Sequence, residues 1–257
     1  MLKVRVIPTL LVKNVGLVKG VRFDSWRRVD TILPAIKVYN MREVDELIVL
    51  DIMASKENRD PDYEGIAEFS EECFVPLTVG GGISNLDHIR KVLLAGADKV
   101  CINSAAFSNI NLIREASDKY GSQCIVASID FKRAEDGKIA CFSHSGTKMQ
   151  NFHPVDWAIA VSEAGAGEII ATSIDQDGTM LGYDLDILGK ISAAVKIPVI
   201  ASGGAGTYQH MLDAITVAGA SAVAAASIFH FTQQTPLEAK KFLGSHGIPV
   251  RKFRLSR

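Results

Sequence analysis

The feature that most limits what this chain can fold into is that its second half repeats its first at a nearly constant spacing. Glu46-Leu47-Ile48-Val49-Leu50-Asp51 returns as Glu168-Ile169-Ile170-Ala171-Thr172-Ser173, 122 positions on. Val75-Pro76-Leu77-Thr78-Val79-Gly80-Gly81-Gly82 returns as Ile197-Pro198-Val199-Ile200-Ala201-Ser202-Gly203-Gly204 at the same spacing. Ala95-Gly96-Ala97 matches Ala218-Gly219-Ala220 after 123 positions, and the run from Val6 to Lys13 matches that from Ile125 to Lys132 after 119. This period far exceeds the roughly 20–50 residues of a solenoid unit, so the chain reads as two half domains, about 1–123 and 124–250. The repeat fails at one chemically loaded place, where Asp130 in the second half faces Leu11 in the first.

Apolar, β-branched runs of strand length occur at 4–12, 46–51, 75–79, 99–102, 124–130, 168–173, 197–201 and 222–226. Helix-period segments lie between them, among them 85–94, 111–119, 154–164, 185–195 and 208–217, several opening on a Ser, Thr, Asn or Asp cap. Near-continuous apolar strands alternating with helices predict a parallel sheet covered on both faces. Eight such units with twofold repetition favour one α/β domain over 1–257, a closed (βα)8 TIM barrel, with a doubly wound open sheet as the alternative. A chain of 257 residues, 47% hydrophobic, has the material for a core of that size. The two longest connections, 13–30 and 132–152, fall at repeat-equivalent places and are expected to act as lids over the C-terminal ends of the strands.

The formal net charge of −1 offers no footprint for nucleic acid or an anionic membrane. No apolar stretch reads as a signal peptide or a membrane span, so a cytoplasmic location is expected. Cys73, Cys101, Cys124 and Cys141 lack metal-type spacing and read as buried thiols, and the six histidines show no ligand pairing. No metal or cofactor is therefore expected. The basic end, 251–257, reads as a solvated tail.

Two Gly-rich turns, Gly80-Gly81-Gly82 and Gly203-Gly204-Ala205-Gly206, follow the third and seventh strands, where bare backbone can approach an anion. Each has a companion one strand on, Asn103-Ser104 and Ala226-Ser227. Together they predict two phosphate grips across one barrel mouth, although tight turns also use glycine for purely structural reasons. Asp130 ends the fifth strand, and Asp175 and Asp177 lie beyond the sixth in Asp175-Gln176-Asp177-Gly178-Thr179. Carboxylates there suit acid–base work, but Asp177 equally suits a turn, and Asp51 equally suits a structural pair. At the opposite ends of the strands, Arg5, Glu46, Lys99 and Glu168 predict a ring of alternating charges, whose simplest reading is a seal on the barrel floor.

Taken together, these residues resemble the cyclase subunit of imidazole glycerol phosphate synthase, along essentially the whole chain. The motifs that carry the resemblance are Val18-Lys19-Gly20, Glu46-Leu47 with Leu50-Asp51-Ile52, Gly80-Gly81-Gly82-Ile83, Ser143-His144-Ser145-Gly146, Gly165-Ala166-Gly167-Glu168, Asp177-Gly178-Thr179 with Gly182-Tyr183-Asp184, and Ala201-Ser202-Gly203-Gly204-Ala205-Gly206. The resemblance implies that Arg5, Glu46, Lys99 and Glu168 form a gate admitting ammonia from a partner glutaminase, and that Asp98 lies at the glutaminase interface. It implies a phosphorylated small-molecule substrate held by Gly81, Gly82, Asn103, Ser104, Gly178, Gly203, Gly204, Ala226 and Ser227. It further implies catalysis by Asp130, assisted by Lys19, Asp51 and Asp177.

In that family a second aspartate, at the end of the first strand, shares the acid–base work that yields imidazole glycerol phosphate and an aminoimidazole carboxamide ribotide. Leu11 occupies its place, and Asn14-Val15-Gly16 stands where the family shows Asp-Gly-Arg. Losing a positioned acid or base typically costs ~10²–10⁴-fold. The chain is also similar to paralogues associated with N-acetyl sugar amidotransferases of surface-polysaccharide pathways. Three readings follow: a barrel passing ammonia toward amidation or amidination of a nucleotide-activated sugar, a working cyclase of histidine biosynthesis, or a scaffold that activates the glutaminase. The sister isomerase of histidine biosynthesis shares the half-barrel repeat, but it too wants an aspartate in the first strand.

Overall fold

The repeated runs close on themselves. A computed structural model describes residues 3–14, 16–134 and 137–251. In chain order the strands are β1 (Arg5–Lys13), β2 (Gly16–Val21), β3 (Asp24–Asp30), β4 (Leu47–Asp51), β5 (Leu77–Gly80), β6 (Lys99–Ile102), β7 (Ile125–Arg133), β8 (Ile139–Ser143), β9 (Lys148–Met149), β10 (Glu168–Ser173), β11 (Val199–Ser202) and β12 (Ala222–Ala225). Eight of them, β1, β4, β5, β6, β7, β10, β11 and β12, pair in that order, each parallel to the next, and β12 returns to β1. The open-sheet alternative is thereby excluded.

Helices α1 (Ile32–Met41), α2 (Tyr63–Glu71), α3 (Leu86–Leu94), α4 (Ser104–Ser108), α5 (Asn111–Tyr120), α6 (Pro154–Glu163), α7 (Leu185–Ala194), α8 (Tyr208–Thr216), α9 (Ser227–Phe231) and α10 (Pro236–Ser245) fill the crossovers. Several of them start on short polar side chains that occupy otherwise orphaned amides. Asn85 accepts from His88 N at 2.9 Å, Asp184 from Ile187 N at 3.1 Å, and Thr207 from His210 N at 3.2 Å. Five barrel strands start one or two residues later than the sequence pattern predicts, at Arg5, Leu47, Leu77, Ile125 and Val199. The prolines before Leu77 and Val199 supply carbonyls and no N–H: Pro76 O accepts from Leu47 N, and Pro198 O from Ile169 N.

The two long connections are not loops. β1 turns back through β2, which pairs with β3, and β7 turns back through β8 and β9, all antiparallel. β7 also runs past Asp130 to Arg133, so that carboxylate lies within a strand and not at its end. Val15 of the first turn and residues 252–257, most of the basic end, fall outside the described residues.

Because side chains alternate across a strand, every second residue of the barrel points inward and the interior is layered. Arg5, Glu46, Thr78, Lys99 and Glu168 form the lowest layer. Above it lies a dry layer of Ile7, Ile48, Cys101, Val126, Ile170, Ile200, Ala222 and Ala224, buried to 4% exposure or less. Thr9, Ser128, Thr172 and Ser202 form a belt of hydroxyls above that, opening into the mouth. The larger apolar cluster lies between strands and helices, where burial contributes ~25 cal/mol per Å² of apolar surface removed from water.

Cys101 and Cys141 are buried, Cys73 and Cys124 are half-buried, and all four are free thiols. Among the described residues no helix is long and apolar enough to cross a membrane.

Candidate active site

The mouth holds a cavity of about 1080 Å³, its open neck included, lined by the top-face residues singled out from the sequence, Asp175 excepted. Leu11, Lys19, Asp51, Asp130 and Asp177 line it, together with Gly81, Gly82, Asn103, Ser104, Gly178, Gly203, Gly204, Ala226 and Ser227. The alternating inward register places them there: the C-terminal ends of parallel strands converge on one rim, and each turn opens onto it.

Leu11 and Asp130 are structural equivalents. Each sits where a barrel strand is paired on both sides, Leu11 with Leu50 and with Val18 of its own hairpin, Asp130 with Thr172 and with Phe142 of its own. Their surroundings differ. Leu11 packs into an apolar cluster with Val18 and Ile52, backed by Trp26, Leu50 and Met53. Asp130 accepts from Asn103 Nδ2 at 3.1 Å and from Ser128 Oγ at 3.2 Å. Burial pushes its carboxyl up to about 7; the Ser128 hydroxyl opposes the rise, the negative charge of Asp177 adds to it, and the Thr172 hydroxyl opposes it. A carboxyl poised near neutrality holds or releases a proton with little driving force either way, as general acid–base catalysis requires.

Asp177 and Lys19 form a buried pair, Lys19 Nζ donating to Asp177 Oδ2 at 2.6 Å and to the Gly20 carbonyl at 3.0 Å. Burial raises the Asp177 carboxyl and the Lys19 ammonium opposes it. Lys19 reaches the mouth because it sits on β2, the returning strand of the first hairpin. Asp51 is committed structurally: its Oδ1 accepts from Met53 N at 2.8 Å and Ala54 N at 3.0 Å, and its Oδ2 from Arg59 Nη2 at 3.0 Å. Asp175, the other carboxylate beyond β10, does not line the cavity. It accepts from Arg133 N at 2.9 Å, and its carbonyl accepts from Arg22 Nε at 3.1 Å, tying the two hairpins together.

The Gly-rich turns are symmetric in detail. Gly81 and Gly203 have φ of +111° and +86°, and a Cβ on either would run into the carbonyl of the preceding barrel strand's last residue, Asp51 or Ser173. Glycine is therefore required there by packing, and the same absence of side chains leaves backbone facing the cavity. Sequence reading missed Phe23, Trp26 and Ser145, which the hairpins bring over the mouth, and the hydroxyls of Thr9 and Ser128, which two-residue periodicity down from Leu11 and Asp130 would have placed.

At the floor the four charges do form a ring. Arg5 Nη1 donates to Glu46 at 2.6 Å and Nη2 to Glu168, while Lys99 Nζ donates to both Glu46 oxygens at 2.9 and 3.0 Å and to Glu168 at 3.0 Å. Thr78 Oγ1 adds a bond to Glu46 at 2.8 Å. Asp98, beside Lys99, is exposed, and its carboxylate accepts from Leu77 N at 2.8 Å. On the same face Met41, Phe74 and Leu94 stand 77%, 81% and 74% exposed at the ends of successive helical crossovers. Among the described residues no cluster of three or more His, Cys, Asp or Glu could hold a metal ion.

Residues 5–235 match the family described as histidine biosynthesis protein. The chain is 48% identical over 251 residues to the imidazole glycerol phosphate synthase subunit HisF of Chlorobium luteolum, a match covering 98% of this chain and 100% of that protein. The HisF subunit of Pelodictyon phaeoclathratiforme matches to the same extent. Both relatives bear the imidazole glycerol phosphate synthase name, and neither bears a sugar-pathway one. A likeness of this extent along the whole barrel means that the chain belongs to the histidine biosynthesis protein family, that of the imidazole glycerol phosphate synthase HisF subunits.

Proposed function

We propose that this chain is the ammonia-accepting barrel of a glutaminase-coupled pair, built on the imidazole glycerol phosphate synthase plan but with ring closure weakened at Leu11. The observation that carries the reading is the contrast between the two ends of one barrel. At the floor, Arg5, Glu46, Lys99 and Glu168 keep a complete set of ion pairs around the axis. At the mouth, one member of the proton-transfer pair is replaced by a leucine that packs against Val18 and Ile52.

In this reading ammonia enters through the charged ring and crosses the dry layer as the neutral molecule, since an ammonium ion would carry a large desolvation cost there. It then meets a phosphorylated substrate whose ends rest against the turns at Gly81–Gly82 and Gly203–Gly204. Asp130 moves the proton at the reacting centre, and Lys19 with Asp177 fixes the charge beside it. The exposed Met41, Phe74 and Leu94 and the nearby Asp98 suit a glutaminase docked on the floor. With cyclisation weakened, ammonia serves amidation or amidination of a nucleotide-activated sugar by a partner N-acetyl sugar amidotransferase. The protein then works in the cytoplasm, as activator and conduit.

A second reading, a working cyclase of histidine biosynthesis, is favoured by the 48% identity to HisF subunits and by an Asp130 carboxyl held near neutrality. One experiment separates the two. Purified protein is given the bis-phosphorylated ribulosyl intermediate and ammonium salt at high pH, without glutaminase, and consumption of the intermediate is followed. Slow or absent turnover, with a cognate glutaminase still activated on mixing, supports the conduit. Rapid turnover abolished by Asp130→Asn refutes it in favour of the cyclase.

A further inference from the structure

Behind the charged ring, outside the barrel wall, lies a second ion pair to which neither the mechanism nor the sequence motifs assign a role. Lys240 of α10 is 1% exposed, among the largest fully buried side chains of the chain. Its Nζ donates to Asp45 Oδ1 at 3.2 Å and to the Glu43 carbonyl. Asp45 is itself buried at 6% exposure, and its other oxygen, Oδ2, accepts from the backbone N–H of Val6 at 3.0 Å.

The positions of these atoms matter more than the pair itself. Asp45 immediately precedes Glu46, and Val6 immediately follows Arg5. One carboxylate thus bolts together the backbones carrying two of the four ring residues, one residue removed from each. The C-terminal segment adds two further ties at the same place: Val4 N donates to the Pro249 carbonyl at 2.8 Å, and Val4 bridges to Val250. A lysine and an aspartate are costly to remove from water, and an apolar pair of similar volume often stabilises a fold as well or better. Stability alone is therefore a weak reason for this pair.

We propose that Lys240 and Asp45 are positioning residues for the ring: the buried pair sets the spacing of the first two barrel strands at their starts, and through it the closure of Arg5 on Glu46. The C-terminal helix, some 195 residues away in sequence, thereby determines whether the floor is shut. The physical basis is leverage. A backbone shift of a few tenths of an ångström between residues 6 and 45 is passed directly to side chains whose mutual bond is 2.6 Å long and which tolerate little stretching.

The test reads the ring directly. Acetic anhydride labelling of the Lys99 amine, which three carboxylate contacts now hold, is measured by peptide mass spectrometry against Lys190, whose side chain is 56% exposed on α7. Lys240→Met is expected to speed Lys99 labelling on the order of tenfold relative to Lys190, the change that accompanies loss of about one good hydrogen bond of local protection. Should that variant not fold, Lys240→Met/Asp45→Leu removes both charges, and faster Lys99 labelling at an unchanged melting temperature again supports the proposal. Labelling at the wild-type rate in whichever variant folds overturns it.

A second arm rests on the glutaminase-coupled reading of the preceding section: the folded variant is expected to lose glutamine-driven turnover severalfold more than ammonium-driven turnover. Labelling needs no partner and no substrate, so a failure of that reading leaves its result intact.

Discussion

Asp130→Asn tests the electrostatics of the mouth without reference to any reaction. The folded protein holds the Asp130 carboxyl at about 7, whereas in the unfolded chain it titrates near 4. The folded state thus binds this proton more tightly than the unfolded one. Folding carries no penalty from the group below about pH 4, an increasing penalty as pH rises toward 7, and a constant one above that. At ~1.4 kcal/mol per pH unit, the interval corresponds to ~4 kcal/mol as an upper bound, and solvent reaching the group through the open mouth reduces it to ~2 kcal/mol.

The amide is a suitable replacement because both existing partners remain usable: its oxygen accepts from Asn103 Nδ2 and its NH₂ donates to Ser128 Oγ, the atoms now at 3.1 and 3.2 Å. The assay is urea unfolding of both proteins between pH 4 and 8. Asp130→Asn is expected to gain ~2 kcal/mol relative to wild type between those limits, with most of the gain between pH 5 and 7. A stability difference that stays flat across the range refutes the assignment of a raised carboxyl at the mouth.

Leu11→Asp places a carboxylate among Val18, Ile52 and Trp26; it is expected to lower stability by ~2–4 kcal/mol, seen as a drop in melting temperature, and to raise ammonium-driven cyclisation by up to ~10²-fold if the rest of the site is competent. Lys19→Met strands the buried Asp177 carboxylate, for which denaturant unfolding is expected to record a loss of ~3 kcal/mol at neutral pH; a loss below ~0.5 kcal/mol would place the pair effectively in solvent. Gly203→Ala forces a side chain into the Ser173 carbonyl at a φ of +86°, and calorimetry is expected to show a loss of ~2 kcal/mol or more. Lys99→Met leaves Glu46 and Glu168 facing each other across the axis with Arg5 as their one cationic partner in the ring, and glutamine-driven turnover is expected to fall well below ammonium-driven turnover when both are assayed on the same preparation.

The barrel was legible because its signal is repeated: the four apolar strands of the first half recur in the second at a nearly constant offset, and the charges at their starts share a register, so ring and mouth could be read as two ends of one tube. What escaped was set by contacts distant in sequence. The segments after Lys13 and Lys132 carry turn-forming and charged residues in loop-like proportion, yet they pair as strands because the barrel strands before them extend and offer an unpaired edge. Asp175 and Asp177 are two residues apart and chemically identical, but one meets Arg133 N and the other Lys19, a difference that only the hairpins create. Nothing in the sequence of α10 reveals that Asp45 lies opposite Lys240.

The hairpin geometry has a mechanical corollary. β7 and β8 form one ribbon rooted in the barrel, and Asp130 rides at the line where the ribbon leaves the wall, its backbone held by β10 on one side and by β8 on the other. Three residues further out the same strand is held again, where Arg133 N donates to Asp175. The turn at His144 and Ser145, whose backbones both hold φ of +52°, leaves β8 beside the inner clamp and is itself tied to Ser104 and to the Ile52 carbonyl. The carboxylate's bearing on the cavity is therefore set by the wall at the root of the ribbon, and not by whatever the far end of the hairpin does.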